Sequence, residues 1–432
     1  MLAFLGLLTI ILLLVLVMTK KASPTVALIV VPVVTAAIGG FGLEIGEFMT
    51  SGVKSISTTG VMFIFAILFF GVLSDAGTFD PIIRKIIKVV GKNPVKIAIG
   101  TAILAMLVHL DGSGAVTFLI TIPAMLPLYD ELGMRRTTLA TIVALGAGTM
   151  NILPWGGPTI RAASSLGVTP TELFNPMLVP FLAGIIFVLI VAFLLGKKEA
   201  KHIGNIENVK IIEVDEKINE EKAKLARPKL FLFNILLIVI AITIMITNKL
   251  QPHVVFMLGL CVALVVNYPS VKEQKERIDA HAKEALMMAS VLFAAGCFTG
   301  IMKDSGMITA MAEVVVDMIP PSLGRLIPVI TGVISMPASL LFDPDSFYFG
   351  VLPVLTSSAN QFGVEGIMVG RAAILGQMTT GFPISPLTAS TFLLTGLAGI
   401  DFGEHQKKTI PFAFACTIVM LIVAIVLRII SL

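Results

Sequence analysis

Uninterrupted apolar runs recur along the chain at about 2–18, 25–42, 58–74, 177–196, 231–248, 254–268, 286–302 and 409–430. Most approach the roughly 20 residues of helix needed to cross a ~30 Å hydrocarbon core, and 254–268 is the short one. Four further apolar regions, 97–129, 137–172, 326–358 and 366–400, are interrupted by Gly, Pro or Asp. The stretch 197–230 mixes Lys and Arg with Asp and Glu, and it reads as a solvated loop with some helix between two hydrophobic halves. The pattern predicts an all-α polytopic membrane protein. Residues 2–18 lack a basic region before them and an A-x-A-like site after them, and Lys20 and Lys21 follow, so the run is expected to be a retained first span.

Composition agrees. The chain is 56% hydrophobic and 13% charged, against roughly 25% charged in a soluble domain. The net charge of +4 is spread over the connections between spans, so it does not suggest a nucleic-acid partner. Cys261, Cys297 and Cys416 lie inside apolar runs, where they read as packing residues and not as disulfides or metal ligands.

The halves repeat. Gly71, Asp75 and Gly77 recur as Gly300, Asp304 and Gly306. At nearly the same offset Thr101 matches Thr331, Met106 matches Met336, Pro123 matches Pro353 and Leu145-Gly146 matches Leu375-Gly376. Such internal symmetry is typical of secondary transporters. If each half has five crossings, one of them discontinuous, plus a re-entrant hairpin (97–129 and 326–358), most of the 31 Lys and Arg fall on one side. That side is the cytoplasm by the positive-inside rule. An odd number of crossings inverts the second copy. The expected organisation is a first inverted repeat over 1–196 with broken helix 137–172, a cytoplasmic linker at 197–230, and a second repeat over 231–432 with broken helix 366–400. Both termini are then external, and 80–96 is an amphipathic helix on the cytoplasmic surface.

Backbone in lipid must be satisfied internally, so broken helix is tolerated only where it is buried in protein or lines a cavity. The candidate site is therefore the four interruptions. The first hairpin turns at His109, Asp111, Gly112, Ser113 and Gly114, and the second at Asp343, Asp345 and Ser346. The first broken span holds Asn151, Gly156, Gly157, Pro158, Thr159 and Arg161, and the second holds Thr379, Thr380, Ser385, Pro386 and Thr388. Freed N–H groups at helix N-termini attract carboxylates, and Arg161 adds a planar fork suited to one. The other reading of Arg161 is a residue that reaches the outer interface or pairs with an internal Asp. Asp111, Asp343, Asp345, Ser346 and His109 are the candidates for a metal or coupling ion, because Mg²⁺ and Ca²⁺ prefer hard oxygen ligands and a carboxyl withdrawn from water holds its proton more readily. Helix or turn capping is the competing role for these Asp residues, and for Asp75 and Asp304 it is the expected one. Asp401–Gln406 is expected to be an interfacial turn.

The segments Phe79-Asp-Pro81, Leu110-Asp-Gly112, Thr121–Tyr129, Pro154-Trp-Gly-Gly-Pro158 with Arg161-Ala-Ala-Ser164, Tyr348–Leu355 and Asp401–Gln406 resemble the metal–citrate/proton symporter family, CitMHS. That family belongs to the ion-transporter superfamily, which includes the divalent-anion/sodium symporters. The resemblance covers the whole chain, and Pro-Trp-Gly-Gly with its Arg carries it most specifically. It implies a transporter of the bacterial cytoplasmic membrane, not an enzyme. Such a transporter takes up citrate complexed with a divalent or trivalent metal (Mg²⁺, Ca²⁺ or Fe³⁺) by proton symport, with no prosthetic group. It further implies a homodimer that works by an elevator-like step. The divalent-anion/sodium symporters carry Ser-Asn-Thr at both tips, whereas here the tips are Asp111–Gly114 and Asp343–Ser346. The rivals are a sodium- or proton-coupled carrier of a free di- or tricarboxylate or sugar acid, an intramembrane aspartyl protease built on Asp111 and Asp343, and a channel.

Overall fold

The computed structural model describes residues 1–19, 21–203, 224–247, 249–318 and 320–431. Those residues are mostly helical, with no strand among them. In the first half α1 (Leu2–Met18), α2 (Pro24–Ile38) and α3 (Glu44–Asp75) precede a short amphipathic α4 (Asp80–Val90). A hairpin of α5 (Pro94–Val108) and α6 (Gly114–Glu131) follows, then a helix broken into α7 (Arg136–Met150) and α8 (Gly157–Leu166), then α9 (Pro170–Phe174) and α10 (Leu178–Ile203).

The second half repeats that order. It runs α11 (Phe231–Ile246), α12 (Pro252–Asn267), α13 (Val271–Asp304) and the short α14 (Met307–Met318). The hairpin of α15 (Ile327–Leu341) and α16 (Leu352–Gln361) comes next, then the broken pair α17 (Gly366–Ala373) and α18 (Ala389–Ala398), then α19 (Phe402–Val426). Six helical segments are long and apolar enough to cross a membrane by length and composition.

Three boundaries differ from the apolar pattern. α3 and α13 have 32 and 34 residues, about 50 Å each at ~1.5 Å per residue, so they outrun the apolar runs 58–74 and 286–302 by several polar turns. The extra turns are held by tertiary contact: α3 and α13 form the most extensive helix pair in the molecule. α10 continues through 203, so the polar linker begins as helix; its segment 204–223 lies outside the described residues. Within that helical start Glu199 is fully buried, accepting from the Arg135 amide (3.2 Å), Arg135 Nε (2.9 Å) and the Thr138 hydroxyl (2.5 Å).

Two capping or turn expectations are also corrected. Asp75 does not cap; it pairs with Arg277 at 3.0 Å and His281 at 2.9 Å, across the α3–α13 crossing. Asp401 caps α19, accepting from the Gly403 and Glu404 amides, but the turn behind it is not merely interfacial. His405 is buried and donates to the Pro383 carbonyl (2.8 Å), and Gln406 donates to the Ile384 carbonyl (2.9 Å).

The α3–α13 crossing is close because glycines face each other. A Cβ on Gly52 would lie 2.0 Å from the Gly296 carbonyl oxygen and 2.8 Å from Gly300 Cα. Both obstacles are backbone, so no side-chain rotation relieves them. Gly52→Val is therefore expected to cost more than the ~1–3 kcal/mol of ordinary overpacking. Thermal unfolding and gel filtration in detergent will show it as a lowered midpoint and lost monodisperse protein. Gly46→Ala, where nothing lies within 4 Å of the added carbon, should leave both unchanged.

Candidate functional site

The first hairpin tip is built by turn chemistry. α5 tightens into one 3₁₀ turn, His109–Asp111, and Gly112 takes φ 77°, a left-handed conformation that glycine adopts without strain. The Asp111 carboxylate accepts the Ser113 amide at 2.8 Å, and the Ser113 hydroxyl accepts the Val116 amide at the start of α6. Asp111, Gly112, Ser113 and Gly114 thus form one continuous tip. His109 is fully buried beneath it: Nδ1 lies 2.8 Å from the Thr117 hydroxyl and Nε2 3.3 Å from the Asn151 amide oxygen, so both ring nitrogens are engaged.

Asn151 opens the first break. Its other amide atom, Nδ2, donates to the Met378 carbonyl at 2.6 Å, joining this break to the second one. The chain then turns tightly: a Cβ on Gly156 would sit 1.9 Å from the Asn151 carbonyl oxygen, so only glycine fits. Thr159 donates to the Ile152 carbonyl (2.6 Å), and Pro158 stands in the first turn of α8, where its missing N–H costs nothing. Trp155 donates to the Leu110 carbonyl at 2.8 Å and stacks on Phe70 of α3 at 5.5 Å, tying the break to the first tip and to the long helix pair.

The second break carries the one strained residue of the site. Gln377 leaves helical geometry (ψ 122°), and Met378 has φ 56°, the left-handed region that L side chains rarely adopt. Its amide donates to Ser339 Oγ at 3.1 Å, and its carbonyl is the one taken by Asn151. Tyr348 donates to the Gln377 carbonyl at 2.7 Å, and the Gln377 side chain meets Ser339 and the Phe342 carbonyl. Thr379 donates to the Ile374 carbonyl, Ser385 to the Ser339 carbonyl, and Thr380 pairs with Thr417. Beyond them, Pro386 is exposed and Thr388 is only partly buried at the start of α18.

At the second tip Asp343 accepts the Asp345 and Ser346 amides at 3.1 Å each and the Ser346 hydroxyl at 2.5 Å. Asp345 faces the other way. Its carboxylate accepts Arg161 Nε at 2.7 Å, with each residue 8% exposed. Arg161 Nη1 also donates to the Gly157 carbonyl at 3.3 Å. A narrow cavity beside the pair is lined by Phe63, Leu292 and Phe349 as well as by Arg161 and Asp345.

Two junctions result. Arg161, Gly157, Asp343, Asp345 and Ser346 meet where α8 touches the second tip. His109, Asn151, Trp155 and Met378 meet where the breaks cross beneath the first. Thr159, Thr379 and Ser385 spend their hydroxyls on backbone carbonyls. Ser339, Tyr348, Gln377 and Met378 also belong to the site: Tyr348 begins a segment that carries the family resemblance and Gln377-Met378 begin the second break, but the sequence assigns none of the four a role. A lone Ser in an apolar helix is a faint signal for Ser339, and nothing in the sequence marks the conformation of Met378.

The sequence profile of CitMHS, described as "Citrate transporter", matches residues 13–381. A Bacillus subtilis protein named "Citrate transporter" is 48% identical over 433 residues, covering 100% of both chains. A second B. subtilis protein, "Mg(2+)/citrate complex secondary transporter", is 43% identical over 432 residues, covering 100% of this chain and 99% of its own. The crystal structure of the Alcanivorax borkumensis YdaH transporter, with its unusual topology, superposes with a TM-score of 0.58 at 13% identity, over 87% of this chain and 86% of that one. At that identity the likeness concerns the fold.

Asn151 is the side chain that joins the first tip to both breaks. Asn151→Leu keeps its bulk but leaves His109 Nε2 and the Met378 carbonyl unsatisfied, about 1–3 kcal/mol for each buried group. A clear drop in the thermal unfolding midpoint of the purified protein is expected. A midpoint equal to wild type would mean that the bridge does not hold the breaks.

Proposed function

The chain belongs to the CitMHS citrate transporter family, a family of transporters and not enzymes, and from that premise we propose that it takes up citrate as a complex with a divalent or trivalent metal ion, coupled to protons. The observation that carries this reading is the buried Arg161–Asp345 pair, held between a broken helix and a re-entrant tip. A metal–citrate complex presents both a carboxylate and a cation. The carboxylate matches Arg161 as a planar fork, and the metal matches the hard oxygens of Asp345, with Asp343 beside it. In the empty carrier the two poles neutralise each other. The substrate inserts between them and replaces one internal ion pair by two.

Either partner alone is penalised. Free citrate would take Arg161 and strand Asp345, and a free metal ion would do the reverse. Breaking a buried pair while leaving one charge uncompensated costs about 3–5 kcal/mol. Chelation also lowers the charge that must be desolvated in the bilayer. The coupling proton is assigned to Asp111 or Asp343. The transporter sits in the bacterial cytoplasmic membrane as a homodimer, with the Lys- and Arg-rich linker inside and both termini outside. The two hairpins and broken helices move as an elevator against the rest of the protein. The relatives' names and the apolar helices support membrane transport of citrate or its magnesium complex.

Uptake of labelled citrate into proteoliposomes, with Mg²⁺, Ca²⁺, Fe³⁺ or a chelator and with an imposed pH gradient, tests the reading. Uptake should require a metal and rise with an inward proton gradient. Equal uptake in the chelator would end the chelate proposal, and dependence on sodium at fixed pH would favour the sodium-coupled carrier. Arg161→Ala and Asp345→Asn should each lower metal-dependent uptake by at least about tenfold, the rate equivalent of ~1.4 kcal/mol. Asp345→Asn should retain relatively more metal-free citrate uptake, since it removes only the metal pole.

A further inference from the structure

A second and wider cavity opens at the end of α3, α8 and α13 that lies opposite the Lys- and Arg-rich linker. It encloses about 1190 Å³, including the solvent at its mouth. Its wall carries Ser51, Ser164, Ser165, Lys303, Thr309 and Asn360. Two of these residues are at odds with their surroundings. Ser164 and Ser165 are 3% and 9% exposed, and their hydroxyls are buried with no hydrogen-bond partner among the described residues. Hydroxyls in that position cost free energy unless something arrives to pair with them. They stand three and four residues after Arg161 on α8, on the same helix face and about one 5.4 Å turn away.

The repeat shows how the two ends of the crossing differ. The correspondence that matches Gly71 to Gly300 and Asp75 to Asp304 also matches Gly52 to His281 and Phe48 to Arg277. At the cytoplasmic end of the α3–α13 crossing, His281 packs on Gly71, and with Arg277 it ties down Asp75. At the opposite end the same positions hold Gly52 and Phe48. Lys303 and Asp304 there form no ion pair among the described residues, and both line the cavity. One end of the crossing is held by charge and bulk, and the other by glycine backbone contact, which leaves Lys303 and Asp304 facing the cavity.

We propose that this vestibule is an outer binding site for the hydrated metal–carboxylate complex, and that Ser164 and Ser165 hold the complex there before α8 passes it to Arg161. The inference rests on the preceding reading of function and deepens it. A small divalent ion dehydrates reluctantly and keeps several waters when chelated. Hydroxyls suit that ligand, since they donate to carboxylate oxygens and accept from metal-bound water. Lys303 and Asp304 place one charge of each sign at the mouth, as a ligand with an anionic and a cationic side requires. The Arg161–Asp345 pair closes the way below, so the complex is held in the vestibule while that pair is intact.

The test uses Thr309→Cys in a full-length, transport-competent chain with Cys261, Cys297 and Cys416 replaced. A charged, membrane-impermeant thiol reagent should label it from outside intact cells, and citrate with Mg²⁺ should slow the labelling severalfold while sulfate does not. Adding Ser164→Ala and Ser165→Ala should abolish that protection. In uptake the two serine changes should raise KM about tenfold, the size of one charge-assisted hydrogen bond, with the maximal rate within about twofold. Labelling from the inside only, or labelling that Mg²⁺–citrate does not slow in a chain that takes up citrate, overturns the inference. Absence of citrate uptake by the wild-type chain, with any metal, instead overturns the reading of function beneath it. The protection measured with Thr309→Cys alone involves neither serine, so a misfolded serine variant does not obscure the result.

Discussion

Everything at the centre of this protein depends on how the backbone groups freed by two broken helices are satisfied. In hydrocarbon each unpaired N–H or C=O costs several kcal/mol, and the breaks expose many of them. The solution is reciprocal. Asn151 of one break holds the carbonyl of Met378 in the other, while Ser339 of the second hairpin holds its amide. Tyr348, His405 and Gln406 take the carbonyls of Gln377, Pro383 and Ile384. These partners, donors and the acceptor Ser339 together, come from four different elements, so the breaks persist only while the hairpins and α19 stay in place. The left-handed Met378 is stable for the same reason: its neighbours over-determine it.

That shared burden is duplicated, but the charge is not. By the repeat, Arg161 corresponds to Thr391 and Asp345 to Ala115. Thr391 donates to the Phe382 carbonyl, a purely structural bond. The first tip meets the second broken helix through rings instead, with Phe382 stacked on His109 at 5.8 Å and on Phe118 at 6.0 Å. One junction of the pseudo-symmetric pair has therefore become charged and the other aromatic. The duplicated fold supplies two equivalent corners, and the sequence has specialised one of them.

The fold was largely legible because its signals are long and repeated. Apolar runs gave the helices, and matched Gly, Asp and Pro positions gave the duplication. What failed to show were the ends of α3 and α13, because polar turns held by a partner helix look like loops in a one-dimensional pattern. The candidate site was legible by residue type and not by role. Arg161 was marked by its place after Pro154–Pro158; the structure shows it paired with an internal Asp, Asp345, and its role as a ligand belongs to the proposal. Glu199 was hidden in a charged stretch that is solvated in most proteins, and only the neighbouring Arg135 and Thr138 explain its burial. Met378 lay within the second break but its role was not legible, since that role comes from a backbone conformation held by Ser339 and Asn151.

The Arg161–Asp345 pair also bears on why a proton should accompany the substrate in the proposed cycle. The empty site, with Arg161, Asp345 and one further ionised carboxyl, carries a single net negative charge. Citrate as a trianion with one divalent metal adds a single negative charge, and moving that charge through a low-dielectric barrier is expensive. One proton, taken by that carboxyl (Asp111 or Asp343), returns the loaded site to the charge of the empty one. Empty and fully loaded forms then cross with the same net charge, whereas a site holding citrate alone, metal alone or proton alone does not. Strict coupling would follow from electrostatics, with no gate beyond the ion pair itself.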